Sequence, residues 1–117
     1  MRKVILYASA ILAFIGVLVY ALRPTEIRVR NASNLEFKNV VVKDKRYGDI
    51  PPGGTTSYQQ WTEAYLYEPV SLSADSKEFT YRVMDHMGEK PLGAGKFTYV
   101  IRAAFGYIDI RAEPDID

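Results

Sequence analysis

Residues 4–22 form an apolar run with no charged position, bracketed by Arg2-Lys3 and Arg23-Pro24. At about 1.5 Å of helical rise per residue, such a run spans roughly 28 Å, close to the hydrocarbon thickness of a bilayer. The pattern predicts one N-terminal hydrophobic helix. Beyond residue 24 the period changes. Residues 26–30 alternate, with Ile27 and Val29 on one face and Arg28 and Arg30 on the other, the pattern of a half-buried strand. In 35–44, Leu35 and Phe37 share a face, and Val40 and Val42 continue it with one residue too many. The surplus predicts a β-bulge near Lys38-Asn39.

The charged stretch 43–46 reads as a turn, and Pro51-Pro52-Gly53-Gly54 is the strongest break in the chain. Residues 55–61 are β-prone. Residues 65–74 predict another strand, with Val70, Leu72 and Ala74 inward. Pro69 cannot donate to a ladder, which places that strand at an edge or a bulge. A turn at Asp75-Ser76-Lys77 pairs it with the alternation Phe79, Tyr81, Val83. Residues 84–95 read as a loop. Phe97, Tyr99 and Ile101 alternate after it, and Gly106 separates them from Ile108 and Ile110.

No segment beyond residue 22 carries a helical period. About seven short strands, separated by turn signals, predict an all-β fold: a single antiparallel β-sandwich behind one hydrophobic helix. The expected organisation is an anchor or signal peptide at 1–24, a sandwich at 25–112 and a frayed acidic tail at 113–117.

Composition changes this picture in two ways. Cysteine is absent, which excludes disulfides, thiolate metal sites, thiol nucleophiles and a lipid-modified cysteine. The domain must therefore rest on its apolar core. Charge matters next. Two of the fifteen Lys and Arg precede residue 23 and none of the fourteen Asp and Glu do, so the rest is formally −1. A near-neutral domain with mixed signs argues against nucleic acid as a partner.

The N-terminal run is long for a secretory signal, and Arg23-Pro24 follows it at once. An uncleaved membrane anchor fits it better, although Val19-Tyr20-Ala21 offers small residues for cleavage, which would make the protein secreted. The expected location of the domain is the extracytoplasmic side of the cell membrane, because a short basic tail before the run is a signal-like layout. The cations that follow the run, Arg23, Arg28, Arg30 and Lys38, argue for the opposite orientation.

At Leu92-Gly93-Ala94-Gly95-Lys96-Phe97-Thr98-Tyr99 and Asp49-Ile50-Pro51-Pro52-Gly53 the chain resembles known modules. Both stretches are similar to the turns before strands in small bacterial envelope proteins that carry one immunoglobulin-like or transthyretin-like domain behind a signal. The resemblance implies an envelope role and brings no catalytic residues. Many such proteins are lipoproteins, but the lack of cysteine excludes lipid anchoring here.

Candidate chemistry is sparse. Asp85-His86-Met87-Gly88-Glu89 holds the only histidine. One imidazole without cysteines supplies too few metal ligands, so a solvated loop is the simpler reading and no cofactor is expected. A triad would need His86 beside a serine and a carboxylate, yet Ser33, Ser57, Ser71, Ser73 and Ser76 sit in no nucleophile-elbow pattern. Asp49 and Asp85 precede turns, where carboxylates cap N–H groups. Asn31-Ala32-Ser33 is a glycosylation sequon. The expectation is a non-enzymatic domain.

Tyr47, Tyr58, Trp61, Tyr65 and Tyr67 make the densest aromatic region. Trp61 is expected in the core. Tyr65 and Tyr67, with Tyr58 or Tyr47, could form a platform for a glycan. Ser71, on the strand thought to be an edge, is the expected place for an extended peptide of another envelope protein to add.

Overall fold

The computed structural model describes residues 24–83, 86, 88–104 and 106–115. The expected hydrophobic helix at 4–22 lies outside the described residues. The described residues form eight strands: β1 (Thr25–Asn31), β2 (Phe37–Val42), β3 (Lys45–Ile50), β4 (Gln59–Trp61), β5 (Val70–Ala74), β6 (Lys77–Tyr81), β7 (Gly95–Ala104) and β8 (Tyr107–Pro114). They form two four-stranded sheets, ordered β4-β1-β7-β8 and β3-β2-β5-β6. The domain is an all-β sandwich.

Alternation puts one apolar row from each sheet into the middle. Ile27, Val29, Tyr99, Ile101, Ile108 and Ile110 come from the first sheet, and Phe37, Val40, Val42, Val70, Leu72 and Phe79 from the second. Trp61 is buried among them, as expected. At about 25 cal/mol per Å² of apolar area removed from water, this continuous core is the main stabilising term in a domain without disulfides.

Local turn chemistry matches its sequence signals. Phe37 pairs with Ile50 but Val40 with Gly48, so the register slips across Lys38-Asn39 and the bulge is real. Asn39 sits at φ 54, and its N–H donates to Asp49 Oδ1 at 3.0 Å. Asp49 thus holds a bulge. Asp75 and Ser76 are both left-handed, φ 52 and 60, the conformation of the two-residue hairpin turn that matches strand twist. Asn31 is fully buried; its Nδ2 donates to the Leu35 and Ile50 carbonyls at 2.7 and 3.0 Å, and its Oδ1 accepts from the Ser33 N–H. The sequon asparagine is therefore a structural bracket, closed to glycosylation in the folded domain.

Four expectations are corrected. First, the sheets are not wholly antiparallel: β1 runs parallel to β7, Thr25 to Asn31 against Gly95 to Ile101. Second, β3 begins at Lys45, inside the stretch 43–46 that reads as a turn. Only Ile50 is buried in it, because it is a sheet edge with a weak inner face. Third, β5 begins after Pro69 and lies between β2 and β6, so it is not an edge. Ser71 pairs with Val41 on one side and Thr80 on the other. Residues 65–69 form a connection instead of a strand, since Glu68 Oε1 accepts the Tyr65 N–H at 3.1 Å and draws the backbone into a turn. Fourth, β8 continues through Glu113 and Pro114, beyond the boundary read at 112, and Asp115 N–H donates to Lys96 O at 2.9 Å.

Candidate functional site

The end of the sandwich where β1 begins gathers most of the unusual chemistry. Thr25 is level with Trp61 and Gly95, and Val42, Val70 and Tyr81 are level in the other sheet. The β4–β5 and β6–β7 connections and the β2–β3 turn converge here. Gly95 N–H donates to Pro24 O at 3.2 Å, Leu92 N–H to Ala64 O at 2.7 Å, and Thr25 Oγ1 to Gly93 O at 2.6 Å. Lys43 and Asp44 border the same cleft as Trp61, Thr62 and Glu63.

Within this end, Glu68 is fully buried. One carboxylate oxygen takes the Tyr65 N–H. The other, Oε2, has no hydrogen-bond partner and faces His86 Nε2 at 3.6 Å. The opposite ring nitrogen, Nδ1, lies 3.2 Å from Glu89 Oε2. The imidazole stacks flat on Tyr65, with centroids 3.9 Å apart and planes within 6°. Tyr65 OH meets Glu63 Oε1 at 2.7 Å; that hydrogen bond, ahead of the nearby carboxylate charges, raises its pKa above the usual value.

The cluster is tied to the core. Tyr99 OH donates to Tyr65 O. Burial, reinforced by the Glu68 charge, pushes the Tyr99 phenol well above its ordinary pKa, so it remains a donor. The Trp61 ring meets Tyr99 edge-on, centroids 5.6 Å apart. Trp61 Nε1 donates to Tyr47 OH at 2.9 Å, and Tyr47 OH donates to Ile27 O at 2.8 Å. Burial pushes Tyr47 up to about 12 against the opposing pull of the Trp61 hydrogen bond. A line of hydrogen bonds and one ring contact thus runs from the β1 backbone to the loop.

His86 is held between two carboxylates on opposite ring nitrogens, so the three groups do not converge on a point. Among the described residues, no three His, Cys, Asp or Glu side chains are grouped to hold a metal. The arrangement joins two loops, with Glu68 from one and His86 and Glu89 from the other. Asp85 lies outside the described residues, and Asp49 is engaged at the β2 bulge.

The predicted tyrosines are engaged in different contacts. Tyr58 OH donates to Asp115 Oδ2, and its ring lies beneath Arg28 and Lys96, 5.0 and 5.3 Å from the centroid. Asp115 also accepts from Thr98 Oγ1 at 2.7 Å and pairs with Arg28 Nε at 3.4 Å. Burial alone would raise its carboxyl; the bonds from Tyr58 and Thr98 and the Arg28 charge outweigh that and lower it. Tyr65 gives a ring face to His86, and Tyr47 turns its hydroxyl inward. Tyr67 remains exposed beside Leu66. Ser71 lies with Val41, Pro69 and Tyr81 along a shallow groove at the second sheet.

Glu68 was missed in the sequence. It stands between Tyr67 and Pro69 in what reads as a strand, and nothing local marks a carboxylate for burial. Glu68-Pro69 as a strand breaker was the available signal.

Comparison with known proteins bears on the fold. An NMR structure of a protein from Eubacterium rectale matches with a TM-score of 0.54 at 17% identity, over 83% of this chain and 96% of that one. This chain shares its two-sheet sandwich with a bacterial protein. At that identity the likeness shows the fold alone. No family model and no curated protein matches the chain.

Proposed function

We propose that this chain is a membrane-anchored, non-enzymatic sandwich of the immunoglobulin-like or transthyretin-like kind. Residues 4–22 hold it in the cell membrane, and the domain stands on the extracytoplasmic side in a structural or protein-interaction role in the envelope. The observation that carries this reading is the uncharged run at 4–22, which ends three residues before β1 starts at Thr25. Such a run is long enough to span, and the short link makes anchor and domain one unit. The non-enzymatic part is supported by His86, whose two ring nitrogens both face carboxylates instead of a hydroxyl. Arg28 and Lys96 over the Tyr58 ring and His86 stacked on Tyr65 favour the protein-interaction reading over a glycan platform.

Intact-mass measurement of the protein recovered from membranes tests the anchor. A mass that includes the residues near Met1 is expected. A mature start at Leu22 would replace the anchored reading with a secreted one. Protease added outside intact cells should digest the domain; protection until the membrane is opened would place it in the cytoplasm.

A further inference from the structure

We propose that the end of the sandwich where β1 begins is seated in the lipid headgroup layer, with Leu66 and Tyr67 as its contacts. The inference rests on the anchored reading above and adds which surface meets the bilayer and through which residues.

Reach supplies the first argument. An extended chain covers at most about 3.6 Å per residue, so the three steps from Leu22 to Thr25 span no more than roughly 11 Å. The headgroup layer on each side of the hydrocarbon is itself about 5–8 Å thick. An anchor ending at Leu22 therefore holds Thr25 within about 11 Å of the hydrocarbon edge and makes this end of the sandwich the one nearest the bilayer.

The second argument is what that end displays. Leu66 and Tyr67 are 44% and 41% exposed, two of the three large apolar side chains in the described residues to stand out in this way. They are the middle residues of the turn that Glu68 closes on the Tyr65 N–H. The flanks of the turn are fixed, since Glu68 is fully buried and Tyr65 O is held by Tyr99. A rigid turn presenting a leucine and a tyrosine at its tip exposes apolar surface to water without a packing reason. At a membrane interface the same pair is favourable: the leucine meets acyl chains and the tyrosine keeps its hydroxyl among headgroups. Exposed charges around the turn are mixed, Lys43, Arg82 and Lys90 against Asp44, Glu63 and Glu89. The surface therefore suits a zwitterionic bilayer and needs no anionic lipid. The third exposed residue, Tyr107, starts β8 at the opposite end, paired with Ala104, and serves as an internal control.

The chain has no cysteine, so single labels are direct. Full-length L66C, Y67C and Y107C, each carrying a polarity-sensitive fluorophore, would be reconstituted in phosphatidylcholine vesicles containing a nitroxide-labelled lipid. Trp61 emission confirms folding of each variant. Several-fold stronger lipid quenching at positions 66 and 67 than at 107 is the expected result. Vesicles that carry the protein on flotation but leave 66 and 67 unquenched would overturn the seating while leaving the anchor intact. Equal quenching at 66, 67 and 107 would also overturn it, because the domain would then lie on its side. Protein that fails to float with the vesicles would remove the anchor, and the seating with it.

Discussion

His86→Ala should uncover the buried Glu68 carboxylate. Glu68 Oε2 has no hydrogen-bond partner, and His86 Nε2 faces it at 3.6 Å. Removing the ring leaves that oxygen facing a void or a poorly held water. That oxygen already lacks a hydrogen bond, so the added cost is that of removing the ring that faces a buried carboxylate and leaving a cavity beside it, about 2 kcal/mol. For a domain of this size such a loss lowers Tm by roughly 10 °C. The single tryptophan, Trp61, is buried within the same network. Urea unfolding of the detergent-solubilised full chain, followed by its fluorescence, reads the loss directly. The decisive comparison is Glu68→Gln. The amide oxygen still accepts the Tyr65 N–H, and no buried carboxylate remains to be stranded. In that background His86→Ala should lose the stack on Tyr65 and the Glu89 contact, which it loses in both backgrounds. The two substitutions should therefore be non-additive by about 1.5 kcal/mol. If His86→Ala costs the same in both backgrounds, to within about 0.5 kcal/mol, the two loops are not joined through this pair and the reasoning fails.

Other outcomes follow from the same contacts. Asp115 has a lowered folded pKa, so the stability it contributes is present above its ordinary value of 3.8 and fades as pH falls through the folded value; Asp115→Asn should flatten the acid limb of a stability-versus-pH curve, and an unchanged limb would contradict it. Tyr47 has a raised folded pKa, about 12 against 10.0, so its contribution is present below pH 10 and lost as pH rises towards 12; Tyr47→Phe should weaken that alkaline loss and destabilise the domain by about 1–3 kcal/mol, because Trp61 Nε1 loses its acceptor. Asn31→Asp turns two donated hydrogen bonds into repulsion against the Leu35 and Ile50 carbonyls; a loss of about 3 kcal/mol or more is expected in thermal melts, and a cost below about 0.5 kcal/mol would refute the bracket.

The alternation of Ile27 and Val29, and of Tyr99 and Ile101, was enough to place β1 and β7, since an inward row needs only a period of two. The hairpin turn at Asp75-Ser76 and the bulge at Lys38-Asn39 were equally legible, because turn chemistry and register surplus are properties of neighbouring residues. Burial of Trp61 follows from its size. What the sequence alone could not decide were the pairings between distant segments. The parallel seating of β1 against β7 joins residues about seventy positions apart. Pro69 suggested an edge for β5, yet tertiary packing set β2 and β6 on either side and moved the proline just outside the strand. Glu68 reads as an exposed strand residue until a loop from beyond β6 brings His86 to it and Tyr99 fixes the turn beside it. A carboxylate becomes buried only through neighbours supplied by other parts of the chain, and no local pattern encodes which neighbours those are.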